Sequence, residues 1–259
     1  MLCARVIPCL DCRDGRVVKG VQFQGLRDAG SPTELAAAYE AQGADELVML
    51  DVSASPEGRA TAFDTVRALR RELSIPLTVG GGVRRADDAA RLLDAGADKV
   101  SVNTAAVREP EMLTAMAERF GRQCTVLALD AAFEASRGRF EVVVMSGAER
   151  TGRAATEWAQ EAVERGAGEI LLTSWDRDGT RSGYDLELLR VMAAAVTAPI
   201  IASGGANEPR HLVEALQAGA DAVLAASIFH DGDWTVDGIK RELAQRGITV
   251  RLDHNEGAT

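Results

Sequence analysis

Two aspartates, Asp11 and Asp130, each close a short apolar run, Arg5–Leu10 before the first and Val126–Leu129 before the second. A carboxyl group in a half-apolar setting can have its pKa moved. Two such groups in different settings can then serve two separate proton transfers. A strand-end aspartate can also cap a nearby loop or helix amide, and the residues alone leave that use open. The pair stands out because the chain carries itself twice. Gly43-Ala44 recurs as Gly166-Ala167, Pro76 as Pro199, and Ala95-Gly96-Ala97-Asp98 as Ala218-Gly219-Ala220-Asp221, all at one offset. The Asp11 segment answers the Asp130 segment at a slightly shorter offset, with the extra residues falling in the loop after Asp130. So long a period indicates a duplicated half-domain and not a solenoid repeat.

The duplication also doubles a glycine turn. Gly80-Gly81-Gly82 matches Ser203-Gly204-Gly205, and Asn103-Thr104 matches Ala226-Ser227. Glycines let a backbone approach an oxyanion, and amides at a following helix start point at it. Two such sites, one per half, imply a long ligand with a phosphate at each end and its reactive atoms between the aspartates. The segment Asp14–Gly30, with four glycines, reads as a long loop over the mouth. Its Lys19 and Arg27 would bring positive charge to an anionic ligand, or else are incidental charges on a solvated loop. Asp176-Arg177-Asp178-Gly179-Thr180 is a second polar loop, with the look of a cation loop but no further ligand pattern.

The elements that must position these residues follow from the pattern. Short apolar runs at Arg5–Leu10, Glu46–Leu50, Leu77–Val79, Lys99–Val102, Val126–Leu129, Glu169–Thr173, Ile200–Ala202 and Ala222–Ala225 read as strands buried on both faces. Helical stretches separate them. The first starts with Ser31 as N-cap, Pro32 at the first helical position and Glu34 behind it, shows the face Leu35, Ala38, Tyr39, and ends at Gly43. Later helices are expected over 62–73, 87–95, 109–119, 155–165, 186–195, 209–218 and 236–246. The sequence therefore predicts a single (β/α)8 barrel over residues 1–252, built from two half-barrels, with a polar frayed tail at 253–259; a doubly wound open sheet is the alternative. In the barrel, strands one and five lie opposite each other, so Asp11 and Asp130 face across the C-terminal mouth.

Arg5, Glu46, Lys99 and Glu169 stand at strand starts, the end away from the mouth. Pointing inward they would ring the floor with two cations and two anions, which suggests water, a partner or a small polar molecule; pointing outward they would be solvated charges. Net charge is −10, which argues against broad affinity for nucleic acid or anionic membrane. No apolar stretch reaches membrane length and no signal-peptide pattern opens the chain, so a cytoplasmic protein is expected. Cys9 and Cys12 have CxxC spacing but no second pair, and with Cys3 and Cys124 read as reduced small apolar groups. The three histidines, His211, His230 and His254, form no ligand-spaced cluster, so neither a metal site nor a cofactor is expected.

Several of these segments together resemble a known family. Ile7-Pro8-Cys9-Leu10-Asp11, Asp14-Gly15-Arg16-Val17-Val18-Lys19-Gly20, Val79-Gly80-Gly81-Gly82, the run Ala97–Ala106, Asp178-Gly179-Thr180, Gly183-Tyr184-Asp185 and Ala202-Ser203-Gly204-Gly205 are similar to the cyclase subunit of imidazole glycerol phosphate synthase, from histidine biosynthesis. The resemblance covers about residues 1–252. It implies a bisphosphate substrate, the phosphoribulosyl-formimino derivative of aminoimidazole carboxamide ribotide, and catalysis by Asp11 and Asp130. It implies phosphate binding by Gly82, Asn103, Thr104, Gly179, Gly204, Gly205, Ala226 and Ser227, and the substrate site is expected to include Lys19, Asp178 and Ser203 beside them. It also implies an ammonia gate of Arg5, Glu46, Lys99 and Glu169, and a separate glutaminase subunit docked below at a face including Asp98 and Gln123. Ala131-Ala132 and Asn207 depart from residues that some members carry. The preceding isomerase of the same pathway shares the duplication and paired aspartates; the Lys19 segment and the charged floor argue against it.

Overall fold

The computed structural model describes residues 3–21, 24–54 and 63–252. Its strands are β1 Arg5–Arg13, β2 Arg16–Val21, β3 Gln24–Gly30, β4 Leu47–Asp51, β5 Leu77–Gly80, β6 Lys99–Val102, β7 Thr125–Glu134, β8 Arg139–Val144, β9 Glu149–Ala154, β10 Glu169–Ser174, β11 Ile200–Ser203 and β12 Ala222–Ala225. Its helices are α1 Pro32–Ala41, α2 Phe63–Glu72, α3 Ala86–Asp94, α4 Thr104–Arg108, α5 Glu111–Phe120, α6 Ala155–Glu164, α7 Leu186–Ala195, α8 Pro209–Gln217, α9 Ser227–His230 and α10 Val236–Gln245. The tail from Asp253, and Ala62 at the expected start of α2, lie outside the described residues.

Eight strands pair in parallel in the ring β1-β4-β5-β6-β7-β10-β11-β12. Pairing of β12 with β1 and of β7 with β10 closes it. The fold is the (β/α)8 barrel and not the open sheet. In that ring β1 and β7 lie opposite one another. Two apolar layers hold it. Ile7, Val48, Val126, Leu171, Ile201 and Leu224 fill the barrel interior. A larger cluster, including Trp158, Leu47, Leu69, Leu92 and Leu113, packs the outer strand faces against the helices. Side chains alternate across a strand with period two, so Arg5, Ile7, Cys9 and Asp11 all point inward. One strand thus supplies a floor charge, a lining and a mouth carboxyl. The same period sends Cys9 into the barrel interior and Cys12 outward into the helix layer, and both remain free thiols.

Several local expectations are corrected. β1 and β7 do not stop at their aspartates; both continue into antiparallel hairpins, β1 with β2 and β3, β7 with β8 and β9. The segment after Asp14 is therefore a hairpin and not a structureless loop. Val17 and Val18, both buried, pair across to Gly30 and Asp28 with a register shift between them, and carry the pairing past the barrel wall. Glu46 sits just before β4, not within it. In α1 the inward residues are Ala36 and Tyr39, while Ala38 is exposed. Ser31 occupies the N-cap but makes no capping bond; its hydroxyl meets that of Thr33 at 3.0 Å. The short helices α4 and α9 were not expected. They begin at Thr104 and Ser227, matching positions of the two halves.

Candidate active site

A cavity opens at the C-terminal ends of the barrel strands. Asp11, Lys19, Gly82, Asn103, Thr104, Asp130, Asp178, Gly179, Ser203, Gly204, Gly205, Ala226 and Ser227 all line it. The structure thus gathers every residue expected at the catalytic and phosphate sites into one mouth.

The two aspartates have unlike surroundings. Asp130 accepts a hydrogen bond from Asn103 Nδ2 at 2.9 Å and another from the Thr173 hydroxyl. Asp11 has the Cys9 thiol at 3.5 Å. Burial raises the Asp11 pKa to about 7, with the carboxylate of Asp178 adding to the rise and the thiol opposing it. Burial and Asp178 raise Asp130 to about 7 as well, against the pull of its two hydrogen bonds. Asp178 itself is lifted to about 6 by burial, opposed by the Gly179 amide. Three carboxyls thus titrate near neutrality in one mouth, where like charges resist joint ionisation. Such a set can hold a proton on one member while another accepts one.

The paired glycine turns are built alike. A Cβ on Gly81 would lie 2.2 Å from the carbonyl oxygen of Asp51, and one on Gly204 3.0 Å from that of Ser174, with φ of +89° and +93°. Only glycine lets these turns close against the neighbouring strand end. Beside them Asn103 and Ala226 are the N-caps of α4 and α9, at φ −122°, ψ −90° and φ −119°, ψ −67°, and the first helical residues Thr104 and Ser227 line the mouth. Thr104 Oγ1 accepts the Met145 amide at 3.1 Å, which leaves its proton free to donate.

Other mouth residues escaped the sequence reading. Asp51 is buried at the end of β4 and accepts the Ala54 amide at 3.1 Å; its position directly after an apolar run was the available signal. Thr173 pairs in register with Asp130, a relationship only the β7–β10 closure creates. His230 lines the cavity with Nδ1 2.5 Å from the Tyr39 hydroxyl. Burial holds it neutral, with its pKa lowered to about 4.

At the opposite end the four strand-start charges turn inward and close on one another. Arg5 bonds Glu46 at 3.0 Å and also Glu169; Lys99 bonds Glu46 at 2.9 Å and Glu169 at 2.8 Å. The order alternates in sign, so each charge has two opposite neighbours. Thr78 Oγ1 donates to Glu46 Oε1 at 2.5 Å. Asp98 lies at this end, half-exposed, and accepts the Leu77 amide at 2.8 Å and Arg70 Nη1 at 3.0 Å. Its repeat partner Asp221 accepts the Ile200 amide in the same way, so one function of Asp98 is to tie β5 to β6. Gln123 is exposed nearby, with Nε2 3.3 Å from the Phe120 carbonyl.

A closed two-fold barrel with titratable carboxyls in its mouth and a paired charge ring at its floor defines a class, the duplicated (β/α)8 barrels. Residues 5–235 match the family described as histidine biosynthesis protein. The chain is similar to the imidazole glycerol phosphate synthase subunit HisF of Streptomyces avermitilis, with 56% identity over 250 residues, covering 96% of this chain and 99% of that relative. The chain belongs to this histidine-biosynthesis family. Among the described residues no helix is long and apolar enough to cross a membrane.

Proposed function

We propose that this chain is the cyclase subunit of imidazole glycerol phosphate synthase, and that Asp11 and Asp130 move the protons. The substrate is the phosphoribulosyl-formimino aminoimidazole carboxamide ribotide, a bisphosphate. Ammonia adds to its ribulosyl ketone, and loss of water from that carbon needs a proton delivered to oxygen. Expulsion of aminoimidazole carboxamide ribotide breaks a carbon–nitrogen bond and needs a proton on the departing nitrogen. Ring closure and aromatisation to imidazole glycerol phosphate require protons to be removed. Carboxyls that titrate near neutrality on opposite walls suit both duties. The observation that carries this reading is the opposition of Asp11 and Asp130 in a mouth whose two ends repeat the same glycine turn. One phosphate is assigned to Gly82, Asn103 and Thr104, the other to Gly179, Ser203, Gly204, Gly205, Ala226 and Ser227, with Lys19 over the top and Asp178 between the aspartates.

Ammonia is assigned to a glutaminase partner docked beneath the floor, against a face that includes Asp98 and Gln123. The ring of Arg5, Glu46, Lys99 and Glu169 is closed when all its pairs are made and opens when they rearrange. Beyond it, Ile7, Val48, Val126 and Leu171 offer an apolar path that disfavours ammonium and keeps the nucleophile uncharged. A cytoplasmic location agrees with four free cysteines. The test is the purified chain with the bisphosphate substrate and an ammonium salt at alkaline pH. Appearance of imidazole glycerol phosphate with equimolar aminoimidazole carboxamide ribotide supports the assignment, and an unchanged substrate rejects it.

A further inference from the structure

One surface carboxylate gathers an unusual number of cations. Asp231 bonds Lys19 of β2, Arg27 of β3 and Arg181 of the loop after β10. Asp233 stands 3.4 Å from Arg181 on its outer side. These residues come from three separate segments, and they meet at the rim of the mouth, where Lys19 and Arg181 line the cavity.

Asp231 itself belongs to the end of α9. It is the C-cap of α9, and its amide donates to the Ser227 carbonyl at 3.0 Å, so it sits one short turn from Ser227. The hairpin, by contrast, needs an anion. Lys19 and Arg27 are directly opposed in the β2–β3 register, and like charges facing each other across a ladder destabilise it. A carboxylate bonded to both converts that repulsion into a bridge. Lys19 is also well covered, with its side chain 13% exposed, and its charge is costly there without a partner. Arg181 contributes from a strained position, with φ +58° at a residue other than glycine, a conformation held by surrounding contacts. The adjacent His230 is neutral and adds no charge of its own. In keeping with this, the Asp231 carboxyl lies below the ordinary carboxylate range; its partial burial would raise it, but the bonds from Lys19 and Arg27 outweigh that.

We propose that Asp231 is a positioning residue. It pins the β2–β3 hairpin to α9 and so presets Lys19 over the end of the mouth nearest Ser227. The bridge removes the like-charge penalty inside the hairpin and joins three segments that share no backbone pairing across that point. Lys19 is then already ordered when an anionic ligand arrives, and its ordering cost is not subtracted from binding or from the chemical step. The link to turnover rests on the bisphosphate reading above; the pinning itself does not.

The test uses the full chain and compares the wild type with Asp231→Asn and Asp231→Glu. Hydrogen exchange measured without ligand should rise about tenfold across residues 16–30 in Asp231→Asn, with the floor strands unchanged. The kcat for the ammonia-dependent reaction should fall by about the same factor while the thermal midpoint barely moves, and Asp231→Glu should retain most of both properties. Unchanged hairpin exchange in Asp231→Asn overturns the proposal whatever happens to activity. Faster exchange with unchanged kcat also overturns it, since the pinning would then serve no positioning role. A wild-type chain inert toward the bisphosphate would defeat the functional reading instead, and the exchange comparison would still decide the pinning.

Discussion

Asn103 Nδ2 lies 2.9 Å from Asp130 Oδ2, and Asn103 is also the residue whose backbone starts the α4 turn. A catalytic carboxyl and a proposed phosphate site are therefore coupled through one side chain. On the other wall Ala226 takes the place of Asn103, and Asp11 has the Cys9 thiol where Asp130 has an amide. The duplication supplies two carboxyls of matched position, and the side chains around them make the two unequal.

Replacing Asp11 or Asp130 by Asn should lower kcat by about 10²-fold or more, with little effect on KM and no loss of folding. Turnover with ammonia as donor and a thermal unfolding scan together check this. A variant that loses fold and activity in parallel would mark the carboxyl as structural.

The raised carboxyls also predict how stability depends on pH. Asp11 and Asp130 titrate near 7 in the folded chain and near 4 when unfolded, so between those values the folded state holds more protons. Stability must then fall as pH rises from about 4 to about 7 and level off above. The mouth is open to water, so the loss is kept to about 1–3 kcal/mol for each group. Asp11→Asn should consequently be more stable than the wild type at pH 8 and nearly equal to it at pH 4, which denaturant titrations at both values would test. A variant less stable than the wild type at pH 8 would contradict the raised pKa.

Lys99→Leu should slow glutamine-dependent synthesis with the partner bound more than synthesis from free ammonia, which can enter at the mouth. The substitution leaves Glu46 and Glu169 to share Arg5, so some loss of stability accompanies it, about 1–3 kcal/mol for a partly exposed ring. The ratio of the two rates is the measurement. If the complex still assembles and the ratio does not move, the ring is a structural floor and not a gate.

Crystals soaked in sulfate should show two anions, one beside Gly82 and Thr104 and one beside Gly205 and Ser227. The matched turn at Gly81 and Gly204 and the matched N-cap positions of Asn103 and Ala226 motivate this. Density at one site only, with the other filled by side chains, would break the two-fold reading.

The duplication, the alternation of strand and helix, and the strands that carry Asp11, Asp130 and the glycine turns are all legible before the chain is folded. Each of these is written in local residue order: a repeat offset, an apolar run, a glycine where only glycine fits. Residue order also placed Arg5, Glu46, Lys99 and Glu169 at strand starts, but not which way they face. Ring closure decided that, because the pairing of β7 with β10 and of β12 with β1 fixes the inward side of every strand. Closure likewise brought Thr173 to Asp130, His230 to Tyr39, and Asp231 to Lys19, Arg27 and Arg181. These partners lie far apart along the chain and carry no shared pattern, so no window of sequence contains them. The continuation of β1 and β7 into hairpins was missed for a related reason. In β8 the run Val142-Val143-Val144 is apolar and buried, but an apolar run does not by itself say which strand it pairs with; β9, which carries no such run, is placed by cross-strand pairing, a property of two segments at once.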